Sequence, residues 1–132
     1  MADNAITSRF SRANSVDLVL EYYSSAAITT GTAKKEWIVP FACRILDVIL
    51  DSETANSGEA TDIADVNKNG TTIYTTQANR PTLGTSNTGL WAEAAEPEIV
   101  TLEAGDILSL DIDQIATTGS ARVKAAILLG VR

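Results

Sequence analysis

Asp111 and Asp113, two residues apart in Leu110-Asp111-Ile112-Asp113, come nearest in this chain to a catalytic constellation. Two carboxylates on one strand face are what a glycosidase uses, one as acid and the other as base or nucleophile. Asp47 and Asp51 form a second such pair, close in sequence. A glycosidase also needs a substrate cleft, which sites of this kind line with aromatic side chains. Only 5% of this chain is aromatic, and its acidic residues fall where a solvated sheet face would place them. The carboxylates therefore read as surface, and the chain as a non-enzyme.

A second fragment, Asp65-Val66-Asn67-Lys68-Asn69-Gly70, opens like a calcium loop, with alternate oxygen side chains and a glycine at the sharp turn. The twelfth position, which requires a bidentate glutamate, is Thr76, and the flanks have strand character. Asn-Gly turn chemistry explains the same residues as a β-hairpin. The chain contains no histidine, which removes imidazole-based triads, histidine zinc sites and histidine proton shuttles. Cys43 is the sole cysteine, so neither an intrachain disulfide nor a thiolate cluster can form within one chain. Its apolar surroundings, Phe41-Ala42-Cys43-Arg44-Ile45, suit a small buried hydrophobe. No phosphate loop or dinucleotide fingerprint is present, and neither a cofactor nor a metal is expected.

The elements that would carry these residues are extended. Leu108, Leu110 and Ile112 alternate with Ser109, Asp111 and Asp113, the period of a half-buried strand, and follow a turn at Glu103-Ala104-Gly105-Asp106. Burying those three aliphatic side chains is worth roughly 2 kcal/mol each. Val16, Leu18, Leu20 and Tyr22 share one face of another period-two segment. Trp37-Ile38-Val39 is extended up to Pro40, which cannot donate to a sheet ladder and predicts a bend or bulge. In Phe41 to Asp51 both faces are apolar, with Leu46, Val48 and Leu50 alternating with Ile45, Asp47 and Ile49. The last segment, Ala121 to Val131, sets Val123, Ala125, Ile127, Leu129 and Val131 on one face and Leu128 on the other. Strands that are apolar on both faces predict cover from something besides their own core.

The length of 132 residues fits a single domain, and the turn signals have the spacing of a sandwich. The expected fold is all-β: an antiparallel, jelly-roll-like β-sandwich of about eight strands over residues 15–132. Residues 1–14 read as an extended N-terminal arm, polar apart from Ile6 and Phe10, with Arg9 and Arg12 flanking the phenylalanine. Such a segment can order against a partner. Thr76 to Ala95 reads as a long irregular loop carrying Trp91, whose fate is core packing or an intersubunit contact.

A net charge of −7 with scattered lysines and arginines argues against nucleic acid, which needs a clustered cationic surface. Neither a signal peptide nor an apolar run long enough to span a bilayer is found, so no membrane partner is expected.

Trp37-Ile38-Val39-Pro40-Phe41, Ile45 to Asp51, the Asp-Val-Asn-Lys-Asn-Gly hairpin, and Leu102-Glu103-Ala104-Gly105-Asp106 with the strand to Ile115 together resemble small β-sandwich structural proteins of tailed bacteriophages. Capsid decoration, or cement, proteins are the class most similar. The resemblance covers about two thirds of the chain and brings no catalytic motif with it. It implies a virion protein, made in the host cytoplasm, that binds the outer surface of an assembled capsid and bridges neighbouring major capsid subunits. On that reading Ile6, Arg9, Phe10 and Arg12 contact the major capsid protein. Trp91 and Leu128 contact a further copy of the chain in a homodimer or homotrimer, or another partner. The competing reading is a tail or fibre module that recognises a host surface carbohydrate through the 76–95 loop and Trp91.

Overall fold

A computed structural model describes residues 15–84 and 90–131, with Leu90, Trp91 and Glu93 described in the backbone alone. Ten strands follow one another among the described residues, with no α-helix between them: β1 (Leu18–Ser24), β2 (Gly31–Ile38), β3 (Cys43–Thr54), β4 (Asp62–Lys68), β5 (Thr71–Thr72), β6 (Thr82–Leu83), β7 (Leu90–Glu93), β8 (Thr101–Leu102), β9 (Ile107–Gln114) and β10 (Ala121–Val131). They form two antiparallel sheets. The first has the order β1-β10-β3-β7, with β8 also on β3; the second has the order β2-β9-β4-β5, with β6 also on β4. The first four long strands alternate between sheets, and β9 and β10 return to the centres of the two sheets. This is the wrapping order of a jelly roll.

The two strands beyond eight are β6 and β7, of two and four residues, too short to show a period in sequence. The 76–95 segment is accordingly more regular than a loop: its described residues hold a 3₁₀ turn at Gln77–Asn79, then β6, and then β7 on the edge of β3. The Pro40 expectation takes the form of a strand end, since β2 stops at Ile38.

Alternation sets the core. Leu108, Leu110 and Ile112 of β9 are buried against Val123, Ile127 and Leu129 of β10 and Ile45, Val48 and Leu50 of β3 within one continuous hydrophobic cluster. Cys43 lies in the same cluster, fully buried and unbridged. Val16, by contrast, precedes β1 and is 47% exposed. The hairpin between β4 and β5 turns on Asn69 (φ 50°) and Gly70 (φ 86°), the left-handed pair that a two-residue hairpin requires.

One end of the sandwich is closed by a polar clasp. Asp62 is fully buried at the start of β4 and accepts hydrogen bonds from the Ala116 amide (2.8 Å), the Ser120 amide (3.0 Å) and the Ser120 hydroxyl (2.5 Å). The Ile28 amide donates to the Ser120 carbonyl at 2.9 Å, and Ser57 pairs with Thr118. Gly119 is required where these loops meet, because a Cβ there would stand 2.4 Å from the Ile28 carbonyl oxygen.

Tyr74 is the opposite case. Its side chain is fully buried, and its hydroxyl finds no hydrogen-bond partner among the described residues. Burial, reinforced by the Asp65 and Asp47 carboxylates, pushes the phenol up, so it stays protonated. An unpaired buried hydroxyl costs about 1–3 kcal/mol. Tyr74→Phe is therefore expected to raise stability by about 1 kcal/mol, read as a higher Tm, and a lower Tm contradicts the assignment.

Candidate functional site

The two sheets present different outer faces. On the first sheet the outward residues run in cross-strand rows fixed by register: Val19–Leu128–Asp47, Glu21–Ala126–Ile49, and Tyr23–Lys124–Asp51, with the backbone of Glu93 aligned to Ile49 and that of Trp91 to Asp51. Val19 and Tyr23 are 41% and 54% exposed, and Leu46, Ile49, Ala126 and Leu128 are half-buried. A band of aliphatic side chains thus crosses the middle of this face. Carboxylates and Lys124 border it, with Lys124 Nζ 3.8 Å from Asp51. The band arises because β3 and β10, the two longest strands, are apolar at both parities. A register shift at Leu128/Leu129 accommodates one extra residue of β3, Leu46, between Ile45 and Asp47.

Leu128 therefore lies where the sequence predicts, on the outer face of a central strand. Trp91 aligns with Asp51 through its backbone, and its side chain lies outside the described atoms. Ile6, Arg9, Phe10 and Arg12 lie outside the described residues altogether.

On the second sheet the outward residues are mostly polar, with Ile38 and Ile107 exposed as a cross-strand pair, and the carboxylates of Asp111 and Asp113 on β9 are occupied. Asp111 accepts the Ala33 amide on Oδ1 (2.8 Å) and the Asn67 carboxamide on Oδ2 (2.6 Å). Asp113 accepts from Arg80 at 2.7 Å in an ion pair. Asp111 and Asp113 thus hold the structure through different partners. The Asp111–Ala33 contact spans 78 residues of sequence, and no local pattern announces it. Among the described residues no cluster of three or more acidic or cysteine side chains is arranged to hold a metal ion. The Asp65–Gly70 fragment functions as a turn: Asn69 accepts the Ile107 amide at 2.9 Å and donates to Asp106 at 3.1 Å.

Two carboxylates differ in acidity for visible reasons. Burial raises Asp65 above the usual carboxylate range, although the Thr72 hydroxyl (2.7 Å) and the Val66 amide (2.8 Å) donate to it. The Glu103 amide and the Asn69 side chain hold Asp106 below that range. In a ¹³C carboxyl titration Asp106 should deprotonate at lower pH than Asp65. For Asp65, whose pKa is raised by folding, the stabilising proton is present on the acid side and lost as pH rises through its folded pKa. For Asp106 the contribution is present above the ordinary range and lost as pH falls. Asp65→Asn is thus expected to raise Tm at neutral pH and to converge with wild type in acid, where both are uncharged. A difference that grows in acid contradicts this.

No protein family, curated protein or solved structure matches the chain.

Proposed function

We propose that this chain is a structural virion protein of the capsid-decoration type. It binds the outside of an assembled phage shell, clusters with further copies of itself, and bridges neighbouring major capsid subunits. The observation that carries the reading is the asymmetry of the jelly roll: its first sheet has an aliphatic band across the middle of its outer face on β1, β10 and β3, while the outer face of the second is mostly polar and exposes Ile38 and Ile107 as one cross-strand pair. A face of this kind suits self-association, since aliphatic side chains at the centre exclude water and charges at the rim set register. Symmetric clustering then multiplies weak attachments through avidity, so no deep pocket or reactive group is needed. In this reading the arm residues Ile6, Arg9, Phe10 and Arg12 touch the capsid, and Leu128 and Trp91 belong to the contact between copies.

The test is co-sedimentation of purified chain with undecorated shells. The intact protein should pellet with them; the chain lacking residues 1–14 should stay in the supernatant while keeping its thermal transition. Normal pelleting of the truncated chain removes the arm from the attachment. If the intact chain fails to pellet with shells but pellets with host cells, the protein is a receptor-binding module instead.

A further inference from the structure

The outer face of the second sheet carries a recess of about 570 Å³, within the usual range for small-molecule sites of roughly 300–1,000 Å³. Its floor is the outward edge of β9, Ile107, Ser109 and Asp111. One wall is the β4–β5 hairpin tip, and the other is an irregularity in β2, where Gly31 pairs with Ile112 but the next pairing is Lys35 with Leu110. Two more residues are thus accommodated in β2 than in β9 over this interval. Ala33 at its crest has φ 49°, a conformation uncommon for alanine, held by the bond from its amide to Asp111. Asp111 is held in turn by Asn67. Bulges of this kind recur beside binding sites, where they re-aim side chains, and here the bulge builds a wall around a floor that is already fixed.

Several groups lining the recess have no internal use. Among the described residues the hydroxyls of Thr32 and Ser109 and the carboxylate of Glu36 make no hydrogen bond or ion pair. The Asn67 side chain spends its NH₂ on Asp111, leaving its oxygen as an acceptor. The lining holds no lysine or arginine. The unspent groups are therefore rich in acceptors and contain no cation. Ile107, 43% exposed, adds an apolar surface at the floor beside Ile38, its cross-strand neighbour at 72%. The matching ligand offers several O–H donors, a C–H face for Ile107, and no negative charge.

From this geometry we infer that the recess is a binding site for a neutral saccharide. The sugar's hydroxyls donate to Glu36 and to the Asn67 oxygen and exchange hydrogen bonds with Thr32 and Ser109, while its ring lies on Ile107. Anionic sugars are rejected by Glu36 and Asp111. The site sits on the sheet opposite the half-apolar face, so it remains open when that face is covered.

The test uses the isolated, ¹⁵N-labelled full chain and is independent of shells. Cellobiose, mannobiose, diacetylchitobiose and 3′-sialyllactose are titrated separately at millimolar concentrations. At least one neutral disaccharide should give saturable amide shifts at Thr32, Glu36 and Ser109, with sialyllactose giving none. Ser109→Phe, which fills the floor, should weaken binding by at least about ten-fold. Glu36→Gln, at an exposed position that tolerates change, should weaken it several-fold with the rest of the spectrum unmoved. Val19→Lys, on the opposite face, should bind as wild type. Absence of saturable shifts with all three neutral sugars, shifts centred elsewhere, or tighter binding of sialyllactose overturns the assignment.

Discussion

Asp62→Ala should destabilise the sandwich by about 3–5 kcal/mol, because hydrogen bonds to a buried carboxyl group are individually strong and removing it strands every donor that it serves. Three donors are served: the amides of Ala116 and Ser120 and the hydroxyl of Ser120. All lie in the segment that turns the chain from β9 into β10, at its buried positions Ala116 and Ser120. Alanine provides no acceptor, and the site is sealed from water, since Asp62 and Ser120 are both fully buried. Against a total stability of about 5–15 kcal/mol for a domain of this kind, the loss is a large share. Asp62→Asn, which keeps one carbonyl oxygen, should lose less. Denaturant unfolding measures both, and the midpoint should fall with little change in slope. A loss below about 1 kcal/mol for the alanine variant contradicts the clasp.

The second large effect concerns association. Leu128→Lys places a cation in the centre of the outer aliphatic band, opposite Asp47 and Val19. The new ammonium stands beside Asp47 at the solvated surface, so the monomer fold should hold, whereas a contact between copies would have to desolvate the added charge at considerable cost. Sedimentation should show clusters falling to monomers. Shell binding should drop by roughly 10²–10⁴-fold, the factor that avidity supplies when linked sites are separated. Val19→Lys, at a more exposed place on the same face, should act in the same direction with smaller effect. An unchanged oligomeric state in both variants removes this face from self-association.

How much of this was legible beforehand depends on the range of each interaction. The strict alternation in β9 placed Leu108, Leu110 and Ile112 inward, and the Asn-Gly pair located the hairpin, because both signals are local. The doubly apolar parity of β3 and β10 likewise announced the aliphatic band on the outer face of the first sheet. Val16 follows the same alternation yet lies beyond the last rung of β1, where no partner strand buries it. The short strands β6 and β7 exist because β4 and β3 offer them free edges, a tertiary cause that four residues or fewer cannot encode as a period. Asp62 and its partners are 54 and 58 residues apart, and Asp111 and Ala33 are 78 apart. In sequence such aspartates resemble every other acidic residue; only folding separates the buried clasp and the braced recess from the solvated surface.

The antiparallel pairing of β1 with β10 sets Leu18 opposite Leu129 and Ser24 opposite Val123, and the Asp17 carboxylate accepts the Val131 amide at 2.8 Å. Pulling Ser15 and Val131 apart would therefore unzip the rungs singly, at low force. Pulling Ser15 against the Ala121 end loads all of them together in shear, since the bonds lie across the strands. A tether entering at Ser15 is thus mechanically strong or weak according to where its counterforce is applied.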